Sequence, residues 1–140
     1  MACILAAISI GMAISDVSRG SGSERSVNDG VFTAEQAERG ADIYAQHCVE
    51  CHGTNMRGGP ASPGVAGLEF KFLWNGKTVG ELYESARTKM PPGKAGLLSD
   101  QEYVDVMAAI LKGNGFPVGD DSELLADKKL LDEILISWRE

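Results

Sequence analysis

Hydrophobic residues recur at intervals of three and four in three separate stretches of the chain, which is the spacing of one helix face. Each stretch follows a residue that suits a helix N-cap, namely Thr33, Thr78 or Ser99. A Gln or Glu stands three residues after each cap, as the capping-box pattern requires. The pattern predicts three helices that begin after these caps, the second at 79–89 and the third at 100–112.

The first predicted helix places Ala37, Ala41, Tyr44 and Cys48 on one face. Gly40 lies beside this stripe, and a glycine within a helix lowers its stability by about 1 kcal/mol relative to alanine. Either another helix approaches closely at Gly40, or Gly40 is an exposed position without a packing role.

The third stretch has the clearest amphipathic pattern, and the glycines after it are typical helix stops. Its apolar face consists of Tyr103, Val106, Met107, Ile110 and Leu111. Further along, leucine and isoleucine recur at helical intervals over 127–138. This second pattern predicts a short helix that packs back on the domain.

Residues 53–68 show no regular pattern and contain five glycines and two prolines. This composition excludes a regular element and suits a loop that lies against a flat cofactor. The next segment contains Phe70, Phe72, Leu73 and Trp74, which we predict to form one compact apolar cluster.

The chain begins with an apolar segment that we interpret as a targeting signal. Residues 4–14 are almost entirely apolar, and this run is shorter than the ~20 residues that a membrane-spanning helix needs. Small residues before Asp16 predict a cleaved signal peptide at 1–15, followed by a flexible leader over 16–32. No Lys or Arg precedes the apolar run, which departs from the usual signal pattern, so an uncleaved N-terminal membrane anchor is the alternative.

Composition limits the class of protein further. A chain of 140 residues with 6% aromatic residues and 17 glycines forms one domain with a modest core, which a buried cofactor would complete. The net charge of −7 argues against nucleic acid as a partner. Residues 113–140 carry three basic and seven acidic groups. We therefore assign 33–118 to the folded domain and 119–140 to an acidic tail that contains the short helix.

Cys48, Cys51 and His52 form a C-x-x-C-H motif, which is typical of covalent haem c attachment. The spacing lets one turn present two thiols to the two vinyl groups of the porphyrin and place the following imidazole under the iron. A thioredoxin-like motif would need a βαβ context, and a zinc site would need a second ligand pair. Outside the motif, Cys3 and His47 are the only Cys or His in the chain. We predict one haem c, bound through two thioethers, with His52 as an iron ligand.

Two further residues are candidate haem contacts. A backbone carbonyl in the glycine-rich loop, most plausibly that of Pro63, would accept a hydrogen bond from Nδ1 of His52 and fix the orientation of its ring. The indole N–H of Trp74 would find a partner in a haem propionate, or the ring would simply form pocket wall.

The second axial ligand of the iron decides between electron transfer and ligand chemistry. His47 and Met56 are tethered to the proximal side by their closeness to His52, and Met107 lies on the apolar face of a helix, where methionine is usually a core residue. Met90 stands 38 residues after His52 and is followed by two prolines, which favour an extended segment. We predict Met90 as the ligand, because it is far enough along the chain to reach across the haem and lies on a segment that the prolines stiffen. A thioether ligand raises the reduction potential, which suits an electron carrier.

With these residues in view, the chain resembles a class I cytochrome c over 33–118. The matching features are Gly40 with Tyr44, Cys48-x-x-Cys51-His52, Pro63-x-x-x-Gly67, Met90-Pro91-Pro92 and the helix at 100–112. The segments 74–79 and 114–117 are similar to small bacterial cytochromes c and to cytochrome domains associated with quinoprotein dehydrogenases. One departure is Ile110, where relatives often have an aromatic residue.

The resemblance implies an all-α cytochrome c fold of three to five helices around one haem, with the N- and C-terminal helices crossing at Gly40. It implies a periplasmic protein that carries one electron between a donor dehydrogenase or membrane complex and an oxidase or reductase, without being an enzyme itself. Expected partners are a quinoprotein dehydrogenase, a cytochrome bc1 complex or a terminal oxidase. We expect a monomer without stable membrane insertion after signal cleavage.

Two alternatives remain open from the sequence. One is a haem enzyme or gas sensor with an open sixth coordination site, which Met90 argues against. The other is an interaction module that docks stably on a dehydrogenase. A weakly basic docking face is a further hypothesis, because basic residues outnumber acidic ones over 71–94.

Overall fold

The computed structural model describes residues 25–60 and 62–139. Helices dominate this part of the chain, and two strands of two residues form a small parallel ribbon. The elements are β1 (Arg25–Ser26), α1 (Ala34–His47), α2 (Val49–His52), α3 (Leu68–Trp74), α4 (Val79–Lys89), α5 (Asp100–Gly113), α6 (Lys128–Leu131) and β2 (Ile134–Leu135), with a 3-10 helix at Val27–Asp29. The predicted all-α architecture is confirmed.

The three predicted caps begin three helices. Thr78 and Ser99 form complete capping boxes with Glu81 and Glu102 at the starts of α4 and α5. The box at Thr33 is only half formed, because its hydroxyl accepts from the Gln36 amide at 3.1 Å while the Gln36 side chain points elsewhere. Local capping chemistry therefore sets where each long helix begins.

Helices α1 and α5 cross at Gly40, as the sequence predicts. A Cβ atom on Gly40 would overlap the backbone carbonyl of Asp105, so only glycine permits this approach. The buried face of α1 consists of Gln36, Ala37, Gly40 and Tyr44. Ala41 is exposed, so its predicted place on the buried face is wrong, because contact with α5 centres on Gly40. The crossing contact at this point is backbone rather than aromatic.

The compact apolar cluster predicted for Phe70, Phe72, Leu73 and Trp74 is only partly correct. These residues belong to the short helix α3, which the sequence did not predict. Phe70 is fully buried, whereas Phe72 is 87% exposed. Two residues in a helix turn the side chain through about 200°, so both cannot face the core. Trp74 packs against Phe70 with ring centroids 6.2 Å apart.

The flexible leader predicted for 16–32 is wrong over residues 25–32, which belong to the folded domain. Val27, Val31 and Phe32 are almost completely buried in the core. The spacing of hydrophobic residues gave no signal here, because β1 has two residues and the 3-10 helix three, too few for a pattern to repeat. Residues 16–24 and the signal peptide predicted at 1–15, with Cys3, lie outside the described residues.

The acidic tail packs on the domain, as predicted, but its helix is shorter than expected. Helix α6 covers only Lys128–Leu131, and β2 follows it to pair with β1 in parallel. The buried tail residues are Leu124, Leu131, Ile134 and Ile136. Polar contacts also hold the tail, since the Gln36 side chain bonds both backbone groups of Leu124, at 2.8 and 2.9 Å.

Across residues 25–60 and 62–139, the helices are too short or too polar for any to pass through a lipid bilayer.

Candidate functional site

The motif Cys48–His52 occupies a tight turn at the end of α1. Cys48 ends that helix, and its amide donates to the carbonyl of Tyr44 at 2.9 Å. The amide of His52 then donates to the carbonyl of Cys48 at 3.0 Å, which closes the single turn α2. Cys48 is half-buried, Cys51 is exposed and His52 is 8% exposed. Both thiols and the imidazole therefore belong to one turn of helix, as the predicted chemistry requires.

These three residues line a cavity of about 470 Å³. Apolar side chains from four helices form much of its wall. The other lining residues of interest include Pro63, Leu73, Trp74, Leu82, Met90, Leu98, Val106, Met107 and Ile110. All six residues predicted from the sequence to contact the haem thus border one cavity.

The ring of His52 is oriented by the glycine-rich loop. Its Nδ1 lies 2.8 Å from the carbonyl oxygen of Pro63, so the hydrogen bond expected for this pair is present. The loop is itself tied to α5, because Asn114 accepts from the Gly67 amide and donates to the Val65 carbonyl, both at 3.0 Å. With Nδ1 engaged, Nε2 is the ring nitrogen left for the cavity.

Met90 comes from a different part of the chain than the attachment motif, directly after the end of α4. Its backbone is extended, with φ −121° and ψ 145°, as the following proline predicts. The Met90–Pro91 peptide bond is cis. Tyr103 from α5 holds this segment, because its hydroxyl donates to the Met90 carbonyl at 2.7 Å and accepts from the Gly96 amide at 3.0 Å.

The other candidate iron ligands have different surroundings. The sulfur of Met56 lies close to Gly113, and Met56 is absent from the lining of the cavity. Met107 is buried on α5 and His47 is exposed at the end of α1, although both border the cavity. Position in the fold therefore separates Met56 from the site but leaves Met107 and His47 beside it.

Burial raises the pKa of one group in the turn and of one group in α1 just before it. The pKa of the Cys48 thiol is about 11, chiefly because of desolvation and secondly because of the nearby Cys51. The pKa of Tyr44 is about 12, again mainly through burial, and its hydroxyl donates to the Gly53 carbonyl at 2.9 Å. Both groups are therefore neutral at neutral pH in the protein chain alone.

Trp74 borders the cavity, and its ring also interacts with a cation. The ammonium of Lys77 lies 4.8 Å from a ring centroid of Trp74, within cation–π range. The sequence did not single out Tyr103 or Asn114 as site residues. Tyr103 lies among the apolar residues of one helix face and Asn114 lies directly after a helix end. Neither position indicates a role in the site from the sequence alone.

The residues present fit a covalently attached haem. An apolar cavity carries two thiols on one turn, an imidazole with one nitrogen free and a thioether from a separate segment. The two thiols are what covalent attachment of a haem requires. The imidazole and the thioether are what ligation of its iron by His and Met requires. The cavity volume also lies within the ordinary range for small-molecule and cofactor sites, about 300–1,000 Å³.

Comparison with known proteins places this site in a family. No curated protein sequence matches the chain. A chain in the crystal structure of the sulfane dehydrogenase SoxCD from Paracoccus pantotrophus is similar in fold, with a TM-score of 0.52 and 20% identity over 92% of this chain and 68% of that one. The family model described as cytochrome c oxidase, cbb3-type, subunit III matches residues 35–108, more than half of the chain. The chain therefore belongs to this family and is a class I c-type cytochrome.

Proposed function

We propose that this cytochrome is a periplasmic single-haem carrier that passes one electron from a dehydrogenase or membrane complex to a terminal oxidase. Membership of the c-type cytochromes implies covalently bound haem c and supports a role in electron transfer. The single observation that carries the finer proposal is the meeting of Cys48, Cys51, His52 and Met90 around one cavity. The family description, which names an oxidase subunit, favours a terminal oxidase as the acceptor.

In this proposal, Cys48 and Cys51 hold the haem through thioethers, while His52 and Met90 ligate its iron. The bound haem supplies reversible one-electron exchange between ferric and ferrous iron. The protein chain holds the two proposed iron ligands and the cavity wall in fixed positions during this exchange. Pro63 fixes the imidazole, Tyr103 fixes the backbone of Met90, and buried side chains of α5 exclude water from the cavity wall.

The ligand assignment predicts a specific optical result. Ferric wild-type protein should show the long-wavelength methionine–iron charge-transfer band, and Met90→Ala should lose it. Met107→Leu is the matched control, because this methionine also borders the cavity and leucine preserves its volume. The control should keep the band. A wild-type protein without the band, or a loss confined to Met107→Leu, would remove Met90 from the proposed site.

Carbon monoxide binding by the same two proteins, wild type and Met90→Ala, tests the alternative of an open sixth coordination site. A haem with both axial positions filled by the protein binds carbon monoxide slowly, because the ligand must first leave. Reduced wild-type protein should therefore bind carbon monoxide slowly, and reduced Met90→Ala rapidly. Rapid binding by the wild type would favour an enzyme or gas sensor over the carrier.

Partner docking is proposed at the mouth of the cavity. Leu73 and Leu97 line the cavity and are 40% and 52% exposed, which gives the opening an apolar rim. Lys94 also lines it and is exposed. Not every cation of the segment 71–94 is free, since Arg87 pairs with Glu84 at 3.5 Å and with Asp100 at 3.9 Å. The apolar rim would supply contact, and the lysine would assist encounter.

Stopped-flow reduction of the oxidase by this cytochrome would test the docking face at several ionic strengths. Lys94→Ala should lower the encounter rate at low salt and match the wild type at high salt, because salt screens exposed charges. Lys112→Ala, an exposed lysine at the end of α5 and outside the cavity lining, is the charge-matched control. Equal rates for all three proteins across ionic strengths would exclude electrostatic docking at this face.

Periplasmic location is part of the proposal and is supported by the signal-like sequence at 1–15 together with the attachment motif. Bacterial thioether attachment takes place outside the cytoplasm, so the apoprotein must be exported first. N-terminal sequencing of the haem-loaded protein from a periplasmic fraction should begin at Asp16. Recovery of the intact N-terminus in the membrane fraction would favour the anchored alternative.

A further inference from the structure

The peptide unit between Pro63 and Gly64 forms a hydrogen bond at each end. Its carbonyl oxygen lies 2.8 Å from Nδ1 of His52. Its amide N–H donates to the carboxylate oxygen Oε2 of Glu69 at 2.7 Å. One peptide plane therefore joins the proximal histidine to a carboxylate at the start of α3.

The carboxylate of Glu69 lies against this peptide unit, although the residue as a whole is exposed. Gly64 is buried, so its N–H has the carboxylate in place of bulk water as its acceptor. A Cβ atom on Gly64 would lie 3.1 Å from both Oε2 of Glu69 and the carbonyl oxygen of Arg57. Glycine at this position leaves room for the side chain of Glu69 against the peptide, and α3 supplies the residue in its first turn.

We propose that Glu69 is a positioning residue that lowers the reduction potential of the haem through the Pro63–Gly64 peptide and His52. This inference rests on the proposed function. A charged acceptor on the N–H polarises the peptide, and its carbonyl becomes a stronger acceptor for the next bond in the chain. The Nδ1–H of His52 is then drawn towards Pro63, so the imidazole donates more electron density to the iron. Ferric iron, which carries the higher charge, is stabilised relative to ferrous iron.

Removal of the charge should act in the opposite direction. Glu69→Gln keeps an oxygen that can accept from Gly64 but lacks the negative charge. We expect its one-electron reduction to be roughly three- to tenfold more favourable than that of the wild type, where tenfold corresponds to about 59 mV. Glu69→Ala, which also removes the acceptor, should show a shift of the same sign.

A nearby carboxylate also affects the iron directly through space, so a charge-matched control is required. Glu50→Gln serves this purpose, because Glu50 borders the cavity and is exposed. The distinguishing measurement is proton NMR of the reduced protein, which is diamagnetic with both axial ligands in place. In Glu69→Gln the Nδ1–H resonance of His52 and the amide resonance of Gly64 should both move upfield. In Glu50→Gln both should stay at their wild-type positions, whatever the potential does.

The outcomes separate the two proposals. A protein without covalent haem, or without a reversible one-electron couple, would overturn both the proposed function and the role of Glu69. A normal couple in the wild type with an unchanged potential in Glu69→Gln would overturn the role of Glu69 alone. A changed potential with both resonances unmoved would also overturn it, because the effect would then be through-space charge. Retention of the methionine band in Glu69→Gln checks that the fold is preserved.

Discussion

The hydroxyl of Tyr103 donates a 2.7 Å hydrogen bond to the backbone carbonyl of Met90. The same hydroxyl accepts from the amide of Gly96 at 3.0 Å, and Tyr103 is only 2% exposed. One buried side chain on α5 therefore fixes both ends of the segment that carries the proposed sixth ligand.

Replacement of this hydroxyl should weaken the hold on Met90 while leaving the aromatic packing intact. We expect Tyr103→Phe to lower the free energy of unfolding by about 0.5–1.5 kcal/mol, because two partly buried hydrogen bonds are lost. Carbon monoxide should also bind the reduced variant faster. Denaturant unfolding and carbon monoxide kinetics measure the two effects.

Tyr83→Phe is the matched control for that substitution. Tyr83 is equally buried, but its hydroxyl interacts with Asp100 rather than with the Met90 segment, and burial raises its pKa to about 12. Carbon monoxide binding should be unchanged in this variant. Equal acceleration in both variants would show that Tyr103 has no special role at Met90.

The crossing of α1 and α5 should tolerate no side chain at Gly40. Gly40→Ala introduces a Cβ atom that overlaps the Asp105 carbonyl, so the helices must separate. We expect a loss of about 1–3 kcal/mol in the free energy of unfolding, the usual range for overpacking. Ala41→Leu adds bulk to the exposed neighbouring position and should leave the unfolding midpoint nearly unchanged. A wild-type midpoint for Gly40→Ala would contradict the close approach.

The segment before α1 should contribute strongly to stability. Phe32 is fully buried, so Phe32→Ala should cost about 3–5 kcal/mol. Phe72 is 87% exposed, and Phe72→Ala should stay within about 0.5 kcal/mol of the wild type. Comparable losses in the two variants would contradict the placement of residues 25–32 in the core.

Acid should weaken the attachment of the tail through Glu123. The Arg39 guanidinium donates to Glu123 at 2.9 Å, and this bond holds the carboxyl pKa below its ordinary value. Hydrogen bonding from Thr33 acts in the same direction, whereas the nearby Asp105 opposes it. A depressed folded-state pKa stabilises the protein above the unfolded pKa of about 4.3, and this contribution is lost as pH falls through the folded value.

Urea unfolding of the wild type and Glu123→Gln over about pH 6 to 3 measures that contribution. The two proteins should differ most at the upper end and converge at the lower end. Glu38→Gln alters an exposed carboxyl on α1 that forms no ion pair within the described part of the chain, so it is the control. A constant difference between wild type and Glu123→Gln at every pH would contradict the assignment.

Much of the fold was predictable because it depends on local chemistry. Thr78 and Ser99 define the starts of α4 and α5 through side-chain bonds to residues three positions away, and the sequence contains both partners. The role of Gly40 was predictable from the resemblance to class I cytochromes c, which implies a helix crossing at this glycine, whereas the helix pattern alone left an exposed position open. The attachment motif is likewise complete within five consecutive residues.

The features that the sequence did not predict depend on distant partners. Val27 and Phe32 are buried because distant parts of the domain pack around them. No repeated pattern in the sequence near them indicates this burial. Phe70 and Phe72 have the same chemistry, and only the rotation of α3 decides that one is core and the other surface. The bond from Glu69 to Gly64 arises where a loop meets a helix, so neither residue identifies the other along the chain.

The ribbon of β1 and β2 pairs Arg25 with Ile134 in parallel, although nearly all of the described chain lies between them. In a parallel pair the polypeptide enters and leaves along one direction. Loss of either strand would leave the backbone groups of the other without their partner, so the two ends of the described chain depend on each other for their place in the fold.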